Sequence, residues 1–312
     1  MCIRDRATQA AGKNYIINGG MDVWQRGATG LGTSTGTYTA DRWVLGSSST
    51  TVTRDTDVPV SPYFQYSMKM VGTGTNSMIQ KVESANSVLL AGQTITISFY
   101  AKRTSGTGAL NLNLYYPTAV DNFTSVTQIG SAITMSASPS SSWVRYQTSV
   151  AIGTNITAGL MMLIDNTGAS TTFITGVQIE IGSIATQFTR AAGTIQGELA
   201  ACQRYFLKYG GNQTYETFPG VLLSYSTTQG EGPIAFKSTM RTTPTVAFST
   251  LKISDVASYN LAVTNLTITT NTSGPDAAYL VFTVASGATS GKTNLLRTDG
   301  STAGYLTFSA EL

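Results

Sequence analysis

Thr94-Ile95-Thr96-Ile97-Ser98-Phe99 alternates strictly, with Ile95, Ile97 and Phe99 on one side and hydroxyls on the other. A period of two sets one face of a strand against a core and the other toward water. The rule repeats in both directions along the chain. Leu110, Leu112, Leu114 and Tyr116 alternate with the outward Asn111 and Asn113; Tyr66, Met68 and Met70 come before them, and Val177, Ile179 and Ile181 after. Leu160-Met161-Met162-Leu163-Ile164 is the most apolar run and reads as a buried strand. Gly72-Thr73-Gly74, Ser105-Gly106-Thr107-Gly108 and Asp165-Asn166-Thr167-Gly168 punctuate these runs as turns. Short strands between polar, Gly-rich turns predict an all-β chain folded as β-sandwiches.

One segment departs from this period. From Thr194 to Leu207, Ile195, Leu199, Cys202 and Phe206 recur at helical spacing. Thr194 is the expected N-cap, Glu198 lies in the first turns where the dipole favours an anion, and Gly210-Gly211 is the expected stop. Alternation then returns in Ile234 and Phe236, in Val246 and Phe248, in Leu280, Phe282 and Val284, and in Leu306, Phe308 and Leu312. The expected organisation is two β-sandwich domains, 13–192 and 211–312, joined by a short helix over 193–210. Residues 1–12 are expected to be a non-native or truncated start.

Composition narrows the function. Of 312 residues, 41% are hydrophobic and only 11% charged, so the wet surface is made of Ser, Thr, Asn and Gly. A net charge of +3, scattered along the chain, does not form the clustered basic stripe that nucleic acid requires. No apolar run approaches the roughly 20 residues that span a bilayer, so no membrane insertion is expected. Cys2 and Cys202 are too few and too far apart to suggest a disulfide framework.

The chain contains no histidine, which removes Ser-His-Asp and Cys-His catalysis and the usual zinc sites. Gly291-Lys292-Thr293 lacks the upstream glycine of a phosphate loop. Paired carboxylates, set roughly 5–10 Å apart as in glycosidases, remain the one plausible catalytic engine. Asp22, Asp41, Asp165, Glu180, Glu216 and Glu231 are the candidates, and no catalytic residue is assigned among them. The expectation is a chain that binds and does not turn over substrate.

Two blocks carry a family resemblance. Asn14-Tyr15-Ile16-Ile17-Asn18-Gly19-Gly20-Met21-Asp22-Val23-Trp24-Gln25-Arg26-Gly27, followed by Tyr38-Thr39-Ala40-Asp41-Arg42-Trp43, is one. Gly176-Val177-Gln178-Ile179-Glu180-Ile181-Gly182 through Phe188, then Glu198-Leu199-Ala200-Ala201-Cys202-Gln203-Arg204-Tyr205-Phe206, is the other. Together they resemble the opening (NLIING…WQRG…YTADRW) and closing (VQLEVG…ATPF…ELxxCQRYY) signatures of a β-sandwich module in bacteriophage tail fibres and tail proteins. Gly20-Met21 stands where a small residue and Phe are more usual, and Gln187 where Pro is. Phe236 to Val246 is similar to a run in the C-terminal domain of the same viral proteins. The resemblance implies that 13–192 is a jelly roll similar to carbohydrate-binding modules and that 211–312 is a receptor-binding tip. It also implies a homotrimer in the virion tail, partnered by other tail proteins and by a host cell-surface glycan. Such a protein is assembled in the host bacterial cytoplasm and is extracellular after release. The alternatives are a structural or decorative virion protein without receptor contact, and a polysaccharide-degrading tail enzyme.

Several residues follow as site candidates. Trp24, Arg26, Asp41, Arg42 and Trp43 could form a sugar platform, with indole faces stacking on a pyranose and charged groups meeting its hydroxyls. The structural alternative has both tryptophans in the core and Asp41 paired with Arg42 or Arg26. Tyr209, Tyr215 and Tyr225 belong to an aromatic-rich stretch just past the helix, read either as core or as a ligand surface. Asn18, Asp22, Asp165 and Glu180 could gather oxygens around a structural calcium ion, the one cofactor considered, or could serve as ordinary caps and turns.

Overall fold

The computed structural model describes residues 14–255 and 260–312. The expected N-terminal segment 1–12, with Cys2, lies outside these. The chain divides into two compact units, one running to Leu199 and taking in Leu312, the other comprising Ala200–Glu311.

The first unit is built from strands β1 (Trp43–Leu45), β2 (Thr50–Asp55), β3 (Ser67–Gly72), β4 (Asn76–Val82), β5 (Thr94–Gly106) and β6 (Leu110–Ala119). They are followed by β7 (Asn122–Gln128), β8 (Ile133–Ser136), β9 (Val144–Ala151), β10 (Leu160–Asn166) and β11 (Ser170–Ile181). One sheet has the order β1-β4-β10-β6-β7, with β8 also paired to β6; the other runs β2-β3-β11-β5-β9. All of these pairs are antiparallel, and crossovers between the sheets give a jelly-roll-like sandwich. Met78, Leu112 and Met162 from the first sheet share one core cluster with Met68, Ile97 and Ile179 from the second.

The Thr94–Phe99 run forms the start of β5, with Ile95, Ile97 and Phe99 fully buried as the period of two requires. Its hydroxyl face is wet only at Thr94, however. Thr96 and Ser98 are buried as well, because the loop after β11 lies over them: Thr96 Oγ1 donates to Gly182 O at 2.7 Å, and Arg145, bonded to Ser98 Oγ at 3.0 Å, also donates to Thr186 O.

The helix is shorter than its periodicity suggests, spanning Ile195–Gln203. Thr194 caps it as expected, its Oγ1 accepting from Gly197 N at 3.0 Å. Ile195 and Leu199 are exposed, whereas Glu198 and Cys202 are fully buried, so only the C-terminal part of the apolar stripe packs. After Gln203 the chain switches to strand β12 (Phe206–Gly210), which pairs with the last strand of the chain. Leu207 and Tyr209 enter the second core at a spacing of two, and this packing overrides continuation of the helix. Gly210 and Gly211, at φ 91° and 92°, therefore end a strand and not a helix.

The second unit continues with β13 (Leu222–Ser224), β14 (Gln229–Ala235), β15 (Thr245–Ser249), β16 (Leu251–Ser254) and β17 (Asn260–Ile268). It ends with β18 (Ala277–Val284), β19 (Thr293–Thr298) and β20 (Tyr305–Ser309). Strands β12-β20-β15 form a small sheet, and β13-β14-β18-β17-β16-β19 close into a ring. The sandwich expectation is thereby refined: closure pairs the strands that would otherwise be open edges of this sheet. Among the described residues no helix is long and apolar enough to cross a membrane.

Candidate functional site

The two signature blocks form a clasp. Asn14 donates from Nδ2 to Val177 O at 3.1 Å and Thr189 O at 2.9 Å, while its Oδ1 accepts from Ile16 N and Ile179 N. Val177 N donates to Gly19 O at 2.9 Å; a Cβ on Gly19 would collide with Val177 O, so the turn needs glycine there. Asn18, at φ 59°, donates to Val23 O and Asp41 O and accepts from Val23 N. Asp22 holds Arg190 through two hydrogen bonds of 2.7 and 3.2 Å. The buried Glu198 carboxylate accepts from Asn18 N and from Ala192 N; burial, the largest influence on it, raises its pKa.

This architecture answers the sugar-platform reading. Trp43 is 1% exposed and Trp24 9%, and their indole N–H groups donate to Asn18 O at 3.0 Å and Met21 O at 2.6 Å. A ring buried in a core cannot stack on a pyranose. Asp41 is fully buried and takes Gln25 and Arg26, the Arg26 ion pair closing at 3.0 Å. Arg42, 2% exposed at φ 72°, donates instead to Lys81 O at 2.7 Å. Arg26 covers the Tyr38 ring at 4.8 Å. All five residues serve packing and loop anchoring.

The calcium reading is corrected as well. Asn18 and Asp22 sit in the clasp, Glu180 is on β11 and Asp165 on β10, in the opposite sheet. Glu180 accepts from Thr186 N at 2.8 Å, from Thr186 Oγ1 at 2.7 Å and from Gln178 Nε2 at 2.7 Å. Asn18, Asp22 and Glu180 thus spend their oxygens or amides on local donors and acceptors. Among the described residues no group of three or more acids or cysteines could hold a metal ion.

Asp165 has a different setting. On β10, Leu160, Met162 and Ile164 enter the core, which turns Met161, Leu163 and Asp165 to the outer face of the sheet. On β6 the core takes Leu110, Leu112 and Leu114, and Asn111, Asn113 and Tyr115 share that outer face. Register puts Ser77, Asp165, Asn111 and Thr134 in one row across four strands. Asp165 Oδ2 accepts from Asn111 Nδ2 at 3.2 Å, and Oδ1 from Asn113 Nδ2 at 3.0 Å. Asn113 Oδ1 in turn accepts from Gln128 Nε2 at 3.2 Å. The carboxylate is recessed, 7% exposed, and burial raises its pKa against the two carboxamides that lower it. No cation pairs with it among the described residues. Gln128 also lines a cavity of about 260 Å³ with Tyr116, Ile129, Asn155 and Ile156, near the lower end of ligand pockets. Carboxylate, carboxamides, hydroxyls and the Tyr115 ring on one face form a set that can accept from and donate to sugar hydroxyls.

No family model matches the chain, and no curated protein matches it. Solved structures do resemble it at a distance. The enzymatically active domain of bacteriophage CBA120 tailspike protein 4 matches with 15% identity and a TM-score of 0.37, over 55% of this chain and 22% of that one. The CBM22-1 xylan-binding domain of Paenibacillus barcinonensis Xyn10C matches with 14% identity and a TM-score of 0.35, over 56% of this chain and 98% of that one. The tandem CBM22-1–CBM22-2 domain of the same protein matches with 12% identity and a TM-score of 0.36, over 97% of this chain and 99% of that one. The chain thus spans less than a quarter of the tailspike domain, and the ligands in these names belong to those proteins.

In the second unit the three tyrosines part ways. Tyr209 is 5% exposed, packs on Phe218 and Phe308, and donates to Ala235 O at 3.2 Å; burial raises its pKa. It is core. Tyr215 and Tyr225 are 58% and 46% exposed and are available to a ligand. Sequence reading singled out Asp165, and separately placed Asn111 and Asn113 outward, but it did not join them. The pairing of β6 with β10 brings them together, and no local pattern encodes that pairing.

Proposed function

We propose that the chain is a binding protein that holds a neutral glycan on the outer face of the β4-β10-β6 sheet. The observation that carries this reading is the Asp165 carboxylate, braced by Asn111 and Asn113 and paired with no cation among the described residues, with Tyr115 further along the same face of β6. A carboxylate neutralised by Arg or Lys offers its oxygens to the protein. One braced only by amides keeps acceptor capacity for ligand hydroxyls, and the amides hold it in place. The ring of Tyr115 supplies apolar area for a pyranose face. Histidine is absent, and the described acids engage bases, amides or hydroxyls, which favours retention of ligand over its cleavage.

The signature blocks suggest a biological setting for this binding. Their likeness to tail-fibre modules supports a role in a bacteriophage tail, attaching the virion to a host cell-surface glycan as a homotrimer. Several copies held together would multiply a weak single-site affinity. The test is titration of neutral oligosaccharides, chosen from a glycan array, into wild type and the Asn111→Ala/Asn113→Ala variant. Binding by wild type that drops at least tenfold, about 1.4 kcal/mol, in the variant supports the reading. Equal binding by both, or none by wild type, refutes it. Light scattering tests the trimer separately.

A further inference from the structure

A second cluster, independent of Asp165, stands on the outer wall of the ring in the second unit. Lys252 and Arg297 are direct cross-strand partners in the β16–β19 pair, a relation in which like charges repel. Asp299 answers Lys252 with an ion pair of 2.5 Å. Arg297 is answered only by a neutral group, its Nη2 donating to the carboxamide oxygen of Asn260, and no carboxylate among the described residues pairs with it. Tyr215 lies against both cations, its ring centroid 5.4 Å from Lys252 Nζ and 5.5 Å from Arg297 Cζ, and remains 58% exposed. The chain also approaches closely at Gly300, φ 65°, where a Cβ would stand 3.2 Å from the Tyr215 hydroxyl.

An exposed ring, an uncompensated guanidinium held by a carboxamide, and a second cation beside it match one class of ligand. The planar fork of Arg suits a carboxylate, and the ring suits the apolar face of a sugar. We propose that Tyr215, Arg297 and Lys252 form a binding site for an acidic saccharide, with Arg297 holding the carboxylate of a uronic acid residue. This site goes beyond the neutral-glycan face of the first unit and does not depend on it.

The experiment titrates the full chain with trigalacturonate and with its methyl ester, which keeps the sugar and removes the charge. Wild type is compared with Arg297→Gln, Arg297→Lys and Tyr215→Ala, each checked for an unchanged melting transition. Wild type is expected to bind the acid at least tenfold more tightly than the ester. Arg297→Gln should abolish that difference, Arg297→Lys should reduce it because Lys lacks the fork, and Tyr215→Ala should weaken both forms. The neutral-glycan reading is tested by its own variant, Asn111→Ala/Asn113→Ala, against neutral oligosaccharides, so its failure would not touch this one. Equal affinity for acid and ester overturns the proposal, as does unaltered binding by Arg297→Gln or no binding at about 10 mM ligand. Dextran sulfate bound as tightly as trigalacturonate and unaffected by Arg297→Gln would mean a diffuse basic surface, and would overturn it too.

Discussion

Asp41 and Asp165 are both carboxylates with little exposure in the same unit, yet they do opposite things. Asp41, fully buried, faces a guanidinium at 3.0 Å and the Gln25 amide, and it ties the first loop to the core. Asp165 faces the carboxamides of Asn111 and Asn113 on the outside of a sheet. The lesson concerns partners more than burial. A cation completes a carboxylate, whereas amides orient it and leave it able to accept more. The motif residues that carry the family likeness are therefore scaffold, and the proposed site lies where the likeness is silent.

The comparison breaks first at the scaffold. Trp43→Ala should be the most damaging change, costing about 3–5 kcal/mol by the cavity it leaves, measured by denaturant unfolding. Asp41→Ala should follow, at about 3 kcal/mol, because it removes the buried carboxylate that holds Arg26 and Gln25. If either variant instead unfolds like wild type but loses glycan binding, the roles assigned to the two regions are reversed.

Asp165→Asn should behave in the opposite sense. We expect at least a tenfold loss of affinity for a neutral glycan, about 1.4 kcal/mol, with a melting point little changed. Retained affinity in that variant would falsify the contrast.

Acid sharpens the same point. Burial raises the Asp165 pKa, so protonation should begin to weaken glycan binding above the pH at which an ordinary carboxylate titrates. For stability the sign is reversed. A group whose folded pKa is raised contributes stability that is complete below its unfolded pKa and is lost as pH rises through the folded value. Asp57 opposes this trend: the Lys102 hydrogen bond lowers its pKa, and its contribution is lost as pH falls through that lowered value. The difference between wild type and Asp165→Asn isolates the Asp165 part. Wild type should lose affinity on acidification while gaining stability relative to the variant, and an affinity flat with pH would exclude the carboxylate from binding.

The smallest effect is expected at Tyr225, 46% exposed, whose phenol donates one long hydrogen bond of 3.4 Å to Gln229. Tyr225→Ser should change stability by no more than about 0.5 kcal/mol. It should also leave binding on the first unit untouched, as a glycan titration would register.

Much of this was legible residue by residue. The period of two located β3, β5, β6 and β11 because a strand between core and water must alternate, and an unbroken apolar run located β10. Thr194 was legible as a cap because its hydroxyl acts within one turn. Other features were not. Helical spacing over Ile195, Leu199, Cys202 and Phe206 pointed to a stripe, but Ile195 and Leu199 are exposed and Phe206 opens a strand. Strands β16 and β19 were missed because the first alternates over only four residues and the second carries two adjacent leucines.

What the sequence determined alone was therefore local: strand period, turn positions, a helix cap, and the poverty of charge and imidazole that limits chemistry. Tertiary structure decided which of those local pieces meet. Asp165 joins Asn111 and Asn113 across more than 50 intervening residues, the signature blocks close on each other through Asn14 and Val177, and six strands close into a ring. The reason is physical: alternation states which face of a strand is dry but not which strand lies beside it. That choice is made by packing and pairing over the whole unit.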